Sequence, residues 1–228
     1  MAAYILIDAD DTLWENNIYF ERVIDRFISH VNHSHMTHAE VREVINEIEK
    51  LNAPMYGYGT VSFTRNLQES FRRLAPERAD AVSLNDVAAL ARVITDHPIE
   101  VIEGVRETLD YLSSRHRLTL FTKGDPVEQH GKVERSGLAG YFQDTRVVKE
   151  KNAAAYKDMV RELAVAPGEV WMVGNSPKSD INPALAAGLN AVWVPHDATW
   201  VLEHEEVQPG ADGRLLTLSR FAELRDHF

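Results

Sequence analysis

Cysteine is absent from this 228-residue chain. That one absence excludes disulfide staples, zinc–thiolate sites and thiol nucleophiles together. Positive charge is in deficit: 24 Lys and Arg stand against 35 Asp and Glu, a net −11. So acidic a balance disfavours nucleic acid and anionic membranes as partners. Long apolar runs are missing too, none approaching the ~18 residues of a membrane span. The first residues hold no basic stretch, and the apolar run of 2–7 is too short for the centre of a secretory signal. The chain is therefore expected to be soluble and cytoplasmic. No repeat and no low-complexity tract interrupts it. What remains is ordinary globular composition, 44% hydrophobic and 26% charged. At this length it can bury a sizeable core, as one large domain or a domain with an insertion.

The most informative stretch is 4–13, Y-I-L-I-D-A-D-D-T-L. Tyr4 to Ile7 form an apolar, β-branched run that fits a fully buried strand of a parallel sheet. Three carboxylates follow in four positions: Asp8, Asp10 and Asp11. Open α/β sheets bind ligands at the carboxyl edge of their strands. Acids crowded at that edge repel one another, and a divalent cation with hard oxygen ligands, Mg²⁺, is the usual remedy. The competing reading is an acidic turn that caps the next element.

Beyond Leu13 the rhythm changes. Apolar residues at Ile18, Phe20, Val23, Ile24, Phe27 and Ile28 predict a helix over 14–31. Thr37 with Glu40 three residues on forms a capping box for a second helix through Ile48. Pro54, Gly57 and Gly59 predict a loop over 52–60 with Tyr56 and Tyr58 at its tips. Two more helices are expected at 61–74 and 84–95. From Ile99 onward helices and short strands alternate: helices at 103–114, 126–136, up to 163, and 179–187, with strands at 118–121, 145–148, 170–173 and 191–194. Gly137 follows the second of these helices as its stop. An irregular acidic loop is expected at 197–213, then an edge strand at 215–218 and a short helix. This alternation predicts an α/β fold with a parallel sheet covered by helices on both faces. The helical stretch interrupts it directly after the first strand, giving a core of 1–13 and 98–228 and a helical domain of 14–97.

The pattern D-x-D-x-T-L after an apolar strand resembles the first motif of the haloacid dehalogenase superfamily, most of whose members are phosphatases. Later segments carry matching residues in matching order. Thr122 closes the strand at 118–121, Lys151 precedes an aromatic, Tyr156, and Gly174-Asn175-Ser176-Pro177-Lys178-Ser179-Asp180 resembles the family's G-D-x-x-x-x-D motif. The resemblance implies a Rossmann-like core with an all-helical cap inserted after the first strand. It implies Asp8 as nucleophile, Asp10 as general acid/base, Thr122 as a donor to a phosphoryl oxygen, and Lys151, with Lys149 as competitor, offsetting charge. Asp8, Asp10 through its backbone carbonyl, Asn175 and Asp180 become the Mg²⁺ ligands. Asn175 departs from the family's acid: its amide oxygen can coordinate but brings no charge. Asp11, where many members have Gly, is given no chemical role beyond capping the turn. Ser176, Ser179 or Asp180 can also cap a helix.

The activity so implied is Mg²⁺-dependent hydrolysis of a small phosphomonoester, a sugar phosphate or nucleotide-like compound, through an aspartyl-phosphate. Dehalogenases of the superfamily lack an acid two residues after the nucleophile, because a halide leaving group needs no proton; Asp10 therefore favours phosphoryl transfer. A phosphosugar mutase on the same core and a non-catalytic phosphate-binding module are the alternatives. Lys123, Gly124, Tyr56 and Arg65 are the candidate substrate contacts. His30, His33, His35 and His38 straddle a helix-to-helix turn in a spacing that matches no zinc pattern, so a solvated turn is expected there. Trp171 and Trp193 are expected in the core.

Overall fold

The computed structural model describes residues 2–208 and 213–228. Contacts divide the chain into two compact units, Met1–Glu15 with Ile99–Phe228, and Asn16–Pro98. Of the loop expected at 197–213, residues 209–212 lie outside the described residues. Strand β1 (Tyr4–Ile7) opens the first unit. The chain leaves that unit at Glu15 and returns at Ile99, and the two crossings run side by side. Glu15 N–H donates to Glu100 O (2.9 Å), Ile102 N–H to Leu13 O (3.0 Å), and Trp14 bridges antiparallel to Val101.

The helical unit comprises α1 (Asn17–Val31), α2 (His38–Tyr56), α3 (Thr60–Leu74), α4 (Ala81–Leu90) and α5 (Arg92–Asp96). Its apolar stripes meet in one core, in which Val23, Phe27, Ile45, Leu67 and Phe71 are buried. The Thr37 box forms as the sequence predicts: Glu40 N–H donates to Thr37 Oγ1 (3.3 Å) and Thr37 N–H to Glu40 Oε2 (2.7 Å). The expected loop over 52–60 is instead confined to the short link around Gly57 and Gly59, because α2 runs through Pro54 to Tyr56. A proline so near a helix end forfeits only one hydrogen bond. The buried Asn52 amide holds this last turn in place by donating to Asn66 Oδ1 and Glu69 Oε2, each at 2.9 Å. The helix expected over 84–95 begins earlier, where Asp80 caps Ser83 N–H (2.8 Å), and breaks at Ala91.

The first unit continues with α6 (Val105–Ser113), β2 (Arg117–Lys123), α7 (Pro126–Ser136), β3 (Asp144–Val148), α8 (Ala153–Leu163), β4 (Val170–Gly174), α9 (Asn182–Ala186), β5 (Asn190–Trp193) and β6 (Leu215–Thr217). All strands pair in parallel in the order β3-β2-β1-β4-β5-β6. This is the α/β fold that the alternation predicts. Side chains of β1 alternate between two cores: Ile5 and Ile7 pack with Leu118, Leu120 and Leu109, while Leu6 faces Phe121, Tyr156 and Met172. A strand buried on both faces explains why Tyr4 to Ile7 lack any polar residue. Burying a side chain such as Leu6 contributes about 1.5–3 kcal/mol.

The strand order reverses between β1 and β4, and open α/β sheets bind ligands at such a switch point, beyond the carboxyl ends. Asp8 follows β1 there and Asn175 follows β4. Asp8 N–H extends the pairing by donating to Val173 O (2.9 Å). The helix expected at 179–187 is preceded by a π-helical turn, Pro177–Ile181, in which Ile181 N–H reaches back to Ser176 O (3.2 Å). Such turns recur at functional sites because an extra residue re-aims the side chains around it. No helix among the described residues is long and apolar enough to cross a membrane.

Candidate active site

The ends of β1 and β4, with the turn that follows β3, bring Asp8, Lys151 and Asp180 together. Asp8, Lys151 and Asp180 are all buried. The Lys151 ammonium donates to Asp8 Oδ1 and to Asp180 Oδ1, the latter at 2.7 Å. Lys149, its competitor in the same turn, is exposed. Lys151 is thus a cation set between two acids. Burial pushes the Asp8 carboxyl up to about 7, with the Asp180 charge adding to the rise and Lys151 opposing it. Burial pulls the Lys151 ammonium down, but Asp180 and Asp8 outweigh it and leave its pKa raised.

Asp180 is aimed by its own loop. Ser176 caps the π turn, accepting from Ser179 N–H (2.9 Å), and Ser176 N–H donates to Asp180 Oδ2 (3.0 Å). The carboxylate lies so close to Gly174 that a Cβ there would sit 2.2 Å from Asp180 Oδ2. That close approach is the physical reason for glycine at the start of this motif.

Asn175 presents its amide oxygen to the site, and the donor–acceptor order fixes this. Thr199 Oγ1 donates its one proton to His196 O (2.8 Å), so it must accept from Asn175 Nδ2 (2.9 Å). Asn175 Oδ1 therefore points the other way, to Thr12 Oγ1 (3.2 Å), which also lies 3.2 Å from Asp8 Oδ2. One hydroxyl proton serves two acceptors, and both acceptors are hard oxygens. With the carbonyl and carboxylate oxygens of this turn, that donor set suits Mg²⁺ better than any softer metal. Trp193, expected in the core, is only partly buried and donates Nε1–H to Asn175 O (3.0 Å); Trp171 is buried as expected.

Asp10 occupies a different environment from Asp8. Trp14 Nε1 donates to its Oδ1 (2.7 Å), Lys132 Nζ lies 3.0 Å from both of its oxygens, and Gln129 Nε2 donates to Oδ2 (3.2 Å). Gln129 Nε2 also donates to Thr122 Oγ1 (2.7 Å), so Thr122 and Asp10 share one amide. The sequence pattern singled out none of Trp14, Gln129 and Lys132. A signal for two of them was present: the buried face of α7 is Gln129, Lys132, Val133 and Ser136, a helical stripe with only one aliphatic residue.

The remaining candidates fall elsewhere. Lys123 Nζ is engaged by Glu203 Oε1 (2.5 Å) and Ser179 Oγ (2.9 Å), and Glu203 accepts from Ser176 Oγ (2.6 Å). Burial raises the Glu203 carboxyl, yet Lys123 outweighs it and the pKa ends below the usual carboxylate value. Gly124 N–H donates to Val148 O (3.3 Å). Tyr56 and Arg65 belong to the helical unit, where the guanidinium lies 4.0 Å from the Tyr56 ring centroid. Of the four clustered histidines, His33 and His35 contact each other (6.3 Å between centroids). Among the described residues the only trio of acids and imidazoles with ligand atoms within 4.8 Å of one another is Asp11, Glu15 and His196. The His196 ring is already engaged there: Ala198 N–H donates to Nδ1 (3.2 Å), and Nε2 lies 3.2 Å from Glu15 Oε2. This contact ties the 196–199 loop, and with it Thr199, to the turn after β1.

Similarity to known proteins agrees with this geometry. The chain is 30% identical over 113 residues to the glyceraldehyde 3-phosphate phosphatase of Pyrococcus furiosus, an alignment covering 46% of this chain and 47% of that one. It thus spans about half the length of that curated relative. A solved haloacid dehalogenase-like family hydrolase from Xanthomonas campestris matches with a TM-score of 0.84 at 27% identity, covering 99% of this chain and 90% of that one. The 2-haloacid dehalogenase of Pseudomonas syringae pv. Tomato shares the fold, with a TM-score of 0.62 at 19% identity over 99% and 97% of the two chains. Residues 3–188, which include every side chain around Asp8, match the haloacid dehalogenase-like hydrolases, and the chain belongs to that family.

Proposed function

We propose that this hydrolase is a Mg²⁺-dependent phosphatase of small phosphomonoesters. The observation that carries the reading is the pair of acids after β1. Asp8 is buried against a lysine, and Asp10, two residues on, is held separately by Trp14, Gln129 and Lys132. A nucleophile with its own acid/base suits an oxygen leaving group, which needs a proton; a halide would not. The phosphatase relative supports the same choice.

In this reading an Asp8 oxygen attacks phosphorus as the bond to the leaving oxygen breaks, giving an aspartyl-phosphate. Asp10 gives its proton to the departing alkoxide. It then takes one from the water that attacks the phosphorus of the aspartyl-phosphate, releasing inorganic phosphate and restoring Asp8. Lys151 and Thr122 stabilise the equatorial oxygens as charge spreads over them. Mg²⁺ would be held by Asp8, the Asp10 carbonyl and the Asn175 amide oxygen. When bound it offsets the repulsion between Asp8 and the phosphate and serves as a Lewis acid. Asp180, whose oxygens are taken by Lys151 and Ser176 N–H, would hold the cation's water. Lys123, committed to Glu203, braces the loop after β4 instead of reaching for substrate.

The test is a panel of phosphomonoesters assayed with and without Mg²⁺. Wild-type protein is expected to release inorganic phosphate only with the cation, and Asp8→Asn to abolish release. Isomerised substrate without free phosphate would make the protein a mutase. Folded protein inert across the panel would reduce it to a phosphate-binding module.

A further inference from the structure

We infer that Lys132 and Gln129, three residues apart on α7, are positioning residues for Asp10, and that Gln129 sets Thr122 by the same contact. The inference rests on the phosphatase reading and adds to it a part that comes from outside the four motif segments. Residues at i and i+3 share a helix face, and here that face is turned to the carboxyl edge of β1 and β2. Lys132 reaches both Asp10 oxygens at 3.0 Å with its side chain 8% exposed. Gln129 is 3% exposed and spans Thr122 Oγ1 (2.7 Å) and Asp10 Oδ2 (3.2 Å).

The placement is built in. Asp125 caps α7 by accepting from Glu128 N–H (2.9 Å), with Pro126 in the first turn, which fixes where the helix starts. Gly124 has φ +144°, and a Cβ there would lie 3.2 Å from Gln129 Cγ. The turn before α7 is therefore shaped so that this amide can approach. Burying an ammonium and an amide on a helix face is unfavourable unless both are paired, and both are paired onto Asp10 or onto Thr122 beside it. An acid/base acts only when its oxygen points at the reacting atom. Trp14 fixes Oδ1 from the chain's own turn, while Lys132 and Gln129 fix the plane of the carboxyl from across the sheet. Because Thr122 Oγ1 accepts from Gln129, its own proton is left only a long contact to Lys123 O (3.5 Å), which a phosphoryl oxygen would replace.

The measurement is kcat/KM with Mg²⁺ for two substrates, an alkyl phosphate and 2,4-dinitrophenyl phosphate. The quotient reports events up to phosphoryl transfer onto Asp8. An alkoxide needs the Asp10 proton to leave; dinitrophenolate does not. Lys132→Met is expected to lower kcat/KM for the alkyl ester by about 10²-fold and that for the dinitrophenyl ester by no more than about threefold, since general acid catalysis is worth roughly 10²–10⁴. Gln129→Met should show the same asymmetry at smaller size, and Lys132→Arg should restore most of the alkyl activity. Thermal melts establish which variants fold, and the two Met variants make the comparison independently. Equal losses on both esters, or none on either, overturn the positioning role while leaving the phosphatase reading intact. Wild-type protein that turns over neither ester removes that reading, and this inference falls with it.

Discussion

The two units of this chain handle charge in opposite ways. In the helical unit the ion pairs Arg42–Glu21 and Arg73–Glu47 stand at the surface, with side chains between 22% and 54% exposed; Glu49 is buried, and the hydrophobic cluster is aliphatic and aromatic. In the α/β unit Lys151, Asp8 and Asp180 are buried together with side chains at most 9% exposed, and Lys132 is buried against Asp10. Surface pairs contribute little to stability, typically under about 1 kcal/mol. Buried charges carry a desolvation penalty that their pairing only partly offsets. A fold that needed only stability would fill the carboxyl edge of β1 and β4 as it fills the helical core. It keeps charge there, and that is the mark of chemistry rather than packing.

Removing Lys151 should break this contrast most sharply. Lys151→Met leaves two buried carboxylates facing each other without a cation, and loss of one partner of a buried pair costs about 3–5 kcal/mol. The size of the loss depends on pH. Asp8 titrates near 7 in the fold, above its ordinary value of 3.8. Its contribution to stability is therefore fully present below about pH 4 and is lost as pH rises through about 7. Lys151 limits that loss by favouring the ionised form. Urea unfolding of Lys151→Met is thus expected to show the full destabilisation at pH 8 and a smaller one at pH 5, with turnover abolished at both. A destabilisation that does not change with pH would mean that the lysine acts by packing alone.

The helical unit should answer differently. Ile45, fully buried in α2, loses one methylene in Ile45→Val. This costs about 0.5–1.5 kcal/mol, and the loss should be the same at pH 5 and pH 8. The same two-pH urea experiment measures it, and any pH dependence there would erase the distinction between the units.

Much of the site could be read from the chain because its residues sit at strand ends, where an apolar run stops and a polar residue begins. Asp8 after Tyr4–Ile7, Thr122 at the end of β2 and Asn175 after β4 all follow that rule. Lys151 could be preferred over Lys149 on its spacing to Tyr156, and the fold buries the one and exposes the other. Gln129 and Lys132 escaped because their role is fixed by long-range contact: they stand 119 and 122 positions from Asp10. Trp14, only four positions from Asp10, escaped because an apolar residue at the start of a helical pattern reads as packing. Composition alone also treats Trp193 as a core residue, since nothing in the chain announces that its N–H will hold the Asn175 carbonyl. Pro54 misled in the other direction. Proline is read as a breaker, yet near a helix end it leaves only one carbonyl without its donor, and the buried Asn52 contacts carry α2 past it.

The most direct test is to find where the phosphoryl group resides during turnover. Protein mixed with substrate and Mg²⁺ would be quenched in acid, reduced with borohydride to convert an acyl phosphate to homoserine, and mapped by peptide mass spectrometry. The account predicts homoserine at position 8 and nowhere else. Turnover with no modified residue, or with the modification at another position, would contradict it.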